Sequence, residues 1–319
     1  MPPTAWVAWI AGAIVAAGVA WAAVWGLLRW ATAQVIERES RTARADLKAF
    51  LDTLETPAGG PSWVDDVTLC IKTFHRPRCI VRAVRSFKSR YPALRVMVAD
   101  DSCRPLLPDG WSRAGISWHR LPYDTGISVG RNALLDRVET PWIVNCDDDF
   151  FAIDTTDLEQ LYAALLERGL DLVGGGSGRA HAARFRREGD RLWIEVGHPP
   201  RELAPGLFAT DRASNFFMAR TERVRKLRWN EDLKLLEHTE FFYRAWKEGW
   251  RVAEMPGVLA GHEEASCLPR ERLVAWLAYG RFRARVRRWS RAFRRLTGRP
   301  YLAAFDADGL RQVKTVRVA

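Results

Sequence analysis

Three consecutive aspartates, Asp147-Asp148-Asp149, follow directly on the apolar stretch Trp142–Cys146. Adjacent carboxylates repel one another and gain nothing from packing, so the structural alternative is a solvated acidic turn. Their oxygens are the ligands that Mg²⁺ or Mn²⁺ takes when it also holds a diphosphate. A second acidic pair, Asp100-Asp101, closes the apolar stretch Leu94–Ala99, a position from which a carboxylate accepts hydrogen bonds from a base or ribose. The run Gly126-Ile127-Ser128-Val129-Gly130-Arg131-Asn132 opens a helical stretch, so Arg131 either reaches a phosphate or pairs with an acid inside the cleft. Glu237-His238-Thr239-Glu240 begins another, with Glu240 and Arg244 at i, i+4. Gly261-His262-Glu263 follows the short strand Arg251–Ala253 by a turn, and His262 there is either a structural histidine or a ligand.

The elements that must position these groups alternate. Val67–Thr73, Leu94–Ala99, Ile116–Leu121 and Trp142–Cys146 have strand composition; Arg78–Arg90, Val129–Val138 and Leu158–Arg168 have helical spacing. Strands separated by helices predict right-handed βαβ units and a mostly parallel sheet, whose ligands sit outside the carboxyl ends of the strands. Both acidic clusters fall at such ends. Further on, Leu170–Val173 is a strand, Gly174-Gly175-Gly176 a break, Arg184–Val196 a hairpin turning at Gly189-Asp190, Phe216–Ala219 a short strand and Glu237–Lys247 a helix. No GxxxxGK[ST] or GxGxxG is present, which argues against a P-loop or a dinucleotide-binding site.

With 319 residues, 48% hydrophobic and 27% charged, the chain is long enough for one large domain plus appendages and is neither disordered nor fibrous. Residues 1–28 carry no charged side chain, and the apolar run Trp6–Leu28 would extend about 34 Å as a helix, enough to cross a bilayer. Trp6, Trp9, Trp25 and Trp30 fall where interfacial aromatic belts lie. A cleaved signal peptide fits less well, because no basic region precedes the run and the run is too long. Arg29, Arg38, Arg41, Arg44 and Lys48 follow it, which by the positive-inside rule predicts a single-pass protein with the part after the run in the cytoplasm, as in a bacterial inner membrane. The five cysteines show no CxxC and read as reduced thiols. The expected organisation is an anchor at 1–30, a helical stalk and linker at 31–61, a globular domain at 62–280, a basic amphipathic helix at 281–299 and a tail at 300–319.

The net charge of +11 is local: nine arginines and no acid lie within 281–299, and the rest of the chain holds 40 basic against 38 acidic residues. Phe282, Val286, Trp289, Phe293 and Leu296 form one apolar stripe among those arginines, the composition of a helix lying on anionic lipid, unless the stripe packs on the globular domain. A nucleic-acid partner is not expected.

From Val67 to about Glu264 the chain resembles nucleotide-sugar glycosyltransferases of the GT-A fold (family 2-like), and among them the β1,4-N-acetylgalactosaminyltransferases of ganglioside-type glycan synthesis. KTFHRP (72–77), YPALRVMVADDS (91–102), GRNALLDRVETPWIVNCDDDF (130–150), LDLVGGG (170–176), TDRASNFFMARTERVR (210–225), EHTEFF (237–242) and GHEEAS (261–266) carry the resemblance in the family's order. It implies an α/β GT-A domain, a Rossmann-like and mostly parallel sheet with a small mixed acceptor-side subregion, here preceded by one transmembrane helix. It implies Mn²⁺ or Mg²⁺ held by Asp147, Asp149 and His262, and a UDP-sugar bound by Thr73, Arg76, Asp100, Asp101, Arg131, Asp147 and Asp148. The catalytic base would come from the helix beginning at Glu237. The family's Glu-Asp pair reads Glu237-His238 here, so Glu240 is favoured, then Glu237, then His238 paired to Glu240.

The expected function is therefore a membrane-anchored, metal-dependent, inverting transfer of a sugar, an N-acetylhexosamine on the resemblance, from a UDP-sugar to a glycan or lipid-linked acceptor. The alternatives are a catalytically silent GT-A domain that binds nucleotide sugar or scaffolds a glycan assembly complex, a nucleotidyltransferase, and a lipid-surface or nucleic-acid binder driven by residues 281–299.

Overall fold

The computed structural model describes residues 3–54, 60–176, 182–196, 201–233, 237–262 and 312–317; within them the side chains of residues 3–13, 25, 28, 29, 32, 312–315 and 317 are outside the description. The basic segment 281–299, the linker at 55–59 and Glu263 onward to 311 fall outside it too, so the expected amphipathic helix lies beyond the described residues.

The elements run α1 (Pro3–Asp52), β1 (Val67–Thr73), α2 (Pro77–Arg90), β2 (Arg95–Asp100), β3 (Trp111–Arg113), β4 (Ile116–Arg120), α3 (Ile127–Leu135), β5 (Trp142–Asp147), β6 (Phe150–Ala152), α4 (Leu158–Arg168) and β7 (Leu172–Gly176). They continue with β8 (Ala183–Glu188), β9 (Arg191–Val196), β10 (Glu202–Ala204), β11 (Leu207–Ala209), β12 (Phe217–Arg220), α5 (Thr221–Leu227), α6 (Glu237–Lys247), β13 (Val252–His262) and β14 (Gln312–Arg317). The main sheet has the order β10-β11-β13-β7-β12-β5-β1-β2-β4-β3, with β6 paired to β13; β14, β9 and β8 form a second sheet.

β5, β1, β2 and β4 are parallel neighbours, as the βαβ pattern requires. β12 enters antiparallel between β5 and β7, and β13 runs parallel to β7. The sheet is therefore more mixed than expected, yet β1, β2, β4, β5, β7 and β13 all end at one edge. Alternation along the strands feeds two cores. Leu69 and Ile71 of β1 pack with α2 and α4, whereas Cys70 packs with the buried residues of α3, α5 and α6.

β13 extends beyond its sequence reading as Arg251–Ala253. Its register with β7 breaks between Met255 and Leu259, across Pro256-Gly257, and its far end then pairs with β6 so that His262 lies opposite Phe150. A proline and a glycine ending a strand in sequence are, in three dimensions, a bulge that redirects it over the acidic turn.

α1 is one helix of 50 residues. Its second half, which includes the expected stalk, packs inward: Ile36, Ser40, Ala43, Leu47 and Leu51 are buried at helical spacing against the domain. Arg44 Nε donates to Leu106 O at 2.6 Å, Arg78 pairs with Glu39, and Arg104 with Glu37. On the first half Ile14, Val15, Val19, Trp21, Val24, Leu27 and Trp30 are 51–67% exposed. Among the described residues no helix is long and apolar enough to cross a membrane; the apolar run begins in residues whose side chains lie outside the description. Cys70, Cys79, Cys103 and Cys146 are free thiols.

Candidate functional site

β5 carries its apolar residues into the core and delivers Asp147 at the carboxyl edge of the sheet, with Asp148 and Asp149 in the turn to β6. Each carboxylate meets a different element. Thr73 Oγ1, the last residue of the adjacent β1, donates to Asp148 Oδ2 at 2.7 Å. Arg76 Nη1, just ahead of α2, donates to Asp148 Oδ1 and to Asp149 Oδ2, both at 2.8 Å. His262 Nε2, brought in by the end of β13, lies 3.5 Å from Asp149 Oδ2. Asp147 Oδ1 accepts from Arg131 Nη2 at 2.5 Å and its Oδ2 from Asn215 Nδ2 at 2.9 Å.

The environments push neighbouring carboxyls apart. Burial lifts Asp148 to about 6, against the pull of Arg76 and with the push of Asp149. Burial also opposes charge on Asp149, but the His262 hydrogen bond and Arg76 outweigh it and hold that carboxyl at about 2. Burial and the three aspartates raise the Cys146 thiol far above its usual range, so it is an inert core group.

Arg131 continues the network. Its Nη1 donates to Glu237 Oε1 at 2.9 Å, tying the first residue of α6 to the strand-end aspartate. Burial raises the Glu237 carboxyl, Arg131 pulls it down, and Asp147 adds to the rise. The sequence places Glu237 and Glu240 on nearly the same helix face, and the fold separates their roles. Glu240 is fully buried and both its oxygens accept from Arg244, which also donates to the Leu227 and Arg228 carbonyls at 2.6 Å each. The favoured base is therefore locked into a structural pair between α6 and the end of α5, and Glu237 is the acid joined to the cluster. His238 is half-buried, its ring edge-on to Phe242 at 5.0 Å.

Asp100 and Asp101, expected to meet the nucleoside, have their oxygens taken up by the protein. Asp100 accepts from the Ser102 and Leu106 amides at 3.0 Å and from Trp118 Nε1 at 3.3 Å. Asp101 accepts from Lys72 Nζ at 2.5 Å, Gly126 N at 2.9 Å and Thr125 Oγ1 at 3.3 Å. Strand-end carboxylates surrounded by turn amides shape the loops that flank the site. Gly130 is required there, since a Cβ would meet Lys72 Cγ at 2.5 Å. His75 adopts a left-handed backbone (φ 54°) between Thr73 and Arg76, its amide donating to Ser102 Oγ at 2.8 Å; strain of this kind collects at functional sites.

Two contributors escaped the sequence reading. Asn215, in the loop before β12, binds Asp147, is held through its carbonyl by Asn145 Nδ2 at 2.7 Å, and buries its Oδ1 with no hydrogen-bond partner. Trp229 lies under the Arg131 guanidinium, 5.3 Å from its ring centre. The segment SNFF was visible as a motif; nothing local marked its Asn as facing the aspartates.

Among the described residues no cluster of three or more His, Cys, Asp or Glu is arranged to hold a metal ion. Asp149 and His262 bring a carboxylate oxygen and an imidazole nitrogen to 3.5 Å of each other, close enough to be adjacent ligands of one cation.

The model of glycosyl transferase family 2 matches residues 68–228. Over 205 residues the chain is 32% identical to the β-1,4 N-acetylgalactosaminyltransferase 2 of Mus musculus, covering 62% of this chain and 39% of that protein. Over 222 residues it is 32% identical to the β-1,4 N-acetylgalactosaminyltransferase 1 of Homo sapiens, covering 64% and 40%. The chain thus spans about 40% of the length of these relatives. Among solved structures, S. aureus TarS 1–349 aligns with a TM-score of 0.44 and 16% identity over 61% of this chain and 59% of that one.

Proposed function

The chain belongs to glycosyl transferase family 2, and from that premise we propose that it is a membrane-anchored, metal-dependent, inverting glycosyltransferase moving an N-acetylhexosamine from a UDP-sugar to a glycan or lipid-linked acceptor. The observation that carries this reading is the convergence at one sheet edge of groups from β1, β5, β13 and α6: Thr73 and Arg76 on Asp148, His262 on Asp149, and Glu237 linked through Arg131 to Asp147. The N-acetylhexosamine is taken from the 32%-identical relatives, whose names state N-acetylgalactosaminyl transfer.

Asp149 and His262 fit a divalent cation and would hold it through a carboxylate oxygen and an imidazole nitrogen. Bound there, the cation supplies neutralisation of charge developing on the departing diphosphate. Arg76 and Arg131 are the protein's own cations at the same edge; both are buried and offset the charge of the aspartates they bind. Glu237, its carboxyl raised by burial, takes the proton from the acceptor hydroxyl as that oxygen bonds to the anomeric carbon; the electron pair of the breaking C–O bond leaves with the nucleoside diphosphate. One displacement inverts the anomeric centre.

Anchoring through residues 6–28 is supported by the exposed apolar side chains of the first half of α1, and a cytoplasmic catalytic domain by Arg38, Arg41, Arg44 and Lys48 after them. The segment 281–299 is a second membrane contact in this reading. The test is UDP release from a panel of UDP-hexoses and UDP-N-acetylhexosamines by the full-length protein with Mn²⁺ and with EDTA. Metal-dependent release from an N-acetylhexosamine donor is expected. Binding of UDP without turnover of any donor would favour the silent domain instead.

A further inference from the structure

Arg131 touches both halves of the site: Asp147 at the end of β5 and Glu237 at the start of α6. It is buried, 3% exposed, and both acids hold its charge in place against that burial. A guanidinium is a rigid planar fork, so using Nη2 for one carboxylate and Nη1 for the other fixes the position of each relative to the other. The surroundings hold the fork itself. Trp229 backs the guanidinium at 5.3 Å, and the neighbouring Asn132 grips the Trp229 backbone on both sides, accepting from its amide at 2.9 Å and donating to its carbonyl at 2.8 Å. Adjacent residues of α3 therefore serve one purpose: Asn132 pins the strip that carries Trp229, and Arg131 bridges donor-side and acceptor-side acids.

We propose that Arg131 is a positioning residue that sets the Glu237 carboxylate for proton removal and couples it to the donor-side Asp147. This rests on the reading of Glu237 as the base. Charge alone is not enough for the role, because a lysine ammonium is a point donor on a flexible stem and cannot hold two carboxylates in a fixed relation.

The experiment compares Arg131→Lys, Glu237→Gln and the double variant in the full-length protein, reading UDP affinity by calorimetry and kcat by UDP release. Arg131→Lys is expected to lose about 100-fold in kcat, the size of effect that a misplacement of about 1 Å produces, with UDP affinity changed by less than about tenfold. Glu237→Gln is expected to lose about 10²–10⁴-fold, and the double variant to be no slower than Glu237→Gln alone. Wild-type kcat in Arg131→Lys, or losses that multiply in the double variant, overturns the positioning role while leaving the base in place. Near-wild-type kcat in Glu237→Gln overturns the base reading and this proposal with it. Should Arg131→Lys fail to fold, Trp229→Leu, which removes the ring backing the guanidinium and leaves Glu237 intact, is the second test: reduced kcat with retained UDP affinity supports the positioning role, and wild-type kcat overturns it.

Discussion

Arg76→Met removes a cation that faces both Asp148 and Asp149 while keeping much of the side-chain volume. Both contacts are 2.8 Å and all three residues are buried, so two carboxylates are left without their shared partner. Removing one member of a buried ion pair costs about 3–5 kcal/mol, because the remaining charge stays desolvated. For a domain of this size each kcal/mol moves Tm by about 2–4 °C, so the fall at pH 7.5 is expected to be about 6–20 °C. The loss must depend on pH. Asp148 already titrates at about 6, above the unfolded value, so its proton uptake on lowering pH favours the folded state. Without Arg76 its carboxyl rises further, and at pH 5 it is neutral and no longer needs a partner. The gap between variant and wild type therefore narrows at pH 5. In the wild type Asp149, held at about 2, keeps its charge across this window; in the variant His262 still lowers it, but the part of that hold that Arg76 supplies is gone. Calorimetric melts of both proteins in EDTA at pH 7.5 and pH 5 measure the effect. A fall under about 2 °C at pH 7.5, or an equal fall at both pH values, would refute the reasoning from buried-pair energetics.

Other perturbations separate structural from functional groups. Leu47→Ala on α1 is expected to cost about 2–5 kcal/mol in denaturant unfolding, because Leu47 is wholly buried against the domain; a free stalk would lose almost nothing. Glu240→Gln breaks the pair with Arg244 and should lower Tm, while the folded fraction keeps wild-type UDP release and Glu237→Gln does not. Gly174→Ala places a Cβ 2.5 Å from that of Ala213 and should cost about 1–3 kcal/mol of stability, read by chemical denaturation. Protease digestion of inside-out bacterial inner-membrane vesicles should remove residues 60–319 if the domain faces the cytoplasm, and protection there with cleavage in right-side-out vesicles would reverse the orientation.

Local pattern revealed the strand ends and therefore the edge at which the candidate site lies: β1 spans Val67–Thr73 as its β-rich composition predicts, and β5 runs directly into the aspartates. Long-range pairing was not legible. The i, i+4 spacing of Glu240 and Arg244 was visible, but the competing link from Glu237 to Arg131 crosses 106 residues and only the fold supplies it. Asp100 and Asp101 looked like open carboxylates because the groups that occupy them, among them the Leu106 amide and Lys72 Nζ, reach them only through the fold. The strand read as Arg251–Ala253 runs on to His262 through a break in register at Pro256-Gly257, which local composition did not distinguish from a turn. The inward face of α1 was masked by the charges between its apolar positions, although Ile36, Ala43, Leu47 and Leu51 keep helical spacing.

The most direct test is calorimetric titration of UDP into the full-length wild-type protein and Asp149→Asn, each with and without Mn²⁺. Binding that requires Mn²⁺ in the wild type and is lost in the variant is the predicted result, and it places nucleotide and cation at the end of β5. Equal binding by both proteins, or binding indifferent to Mn²⁺, would contradict the assignment of the triple aspartate.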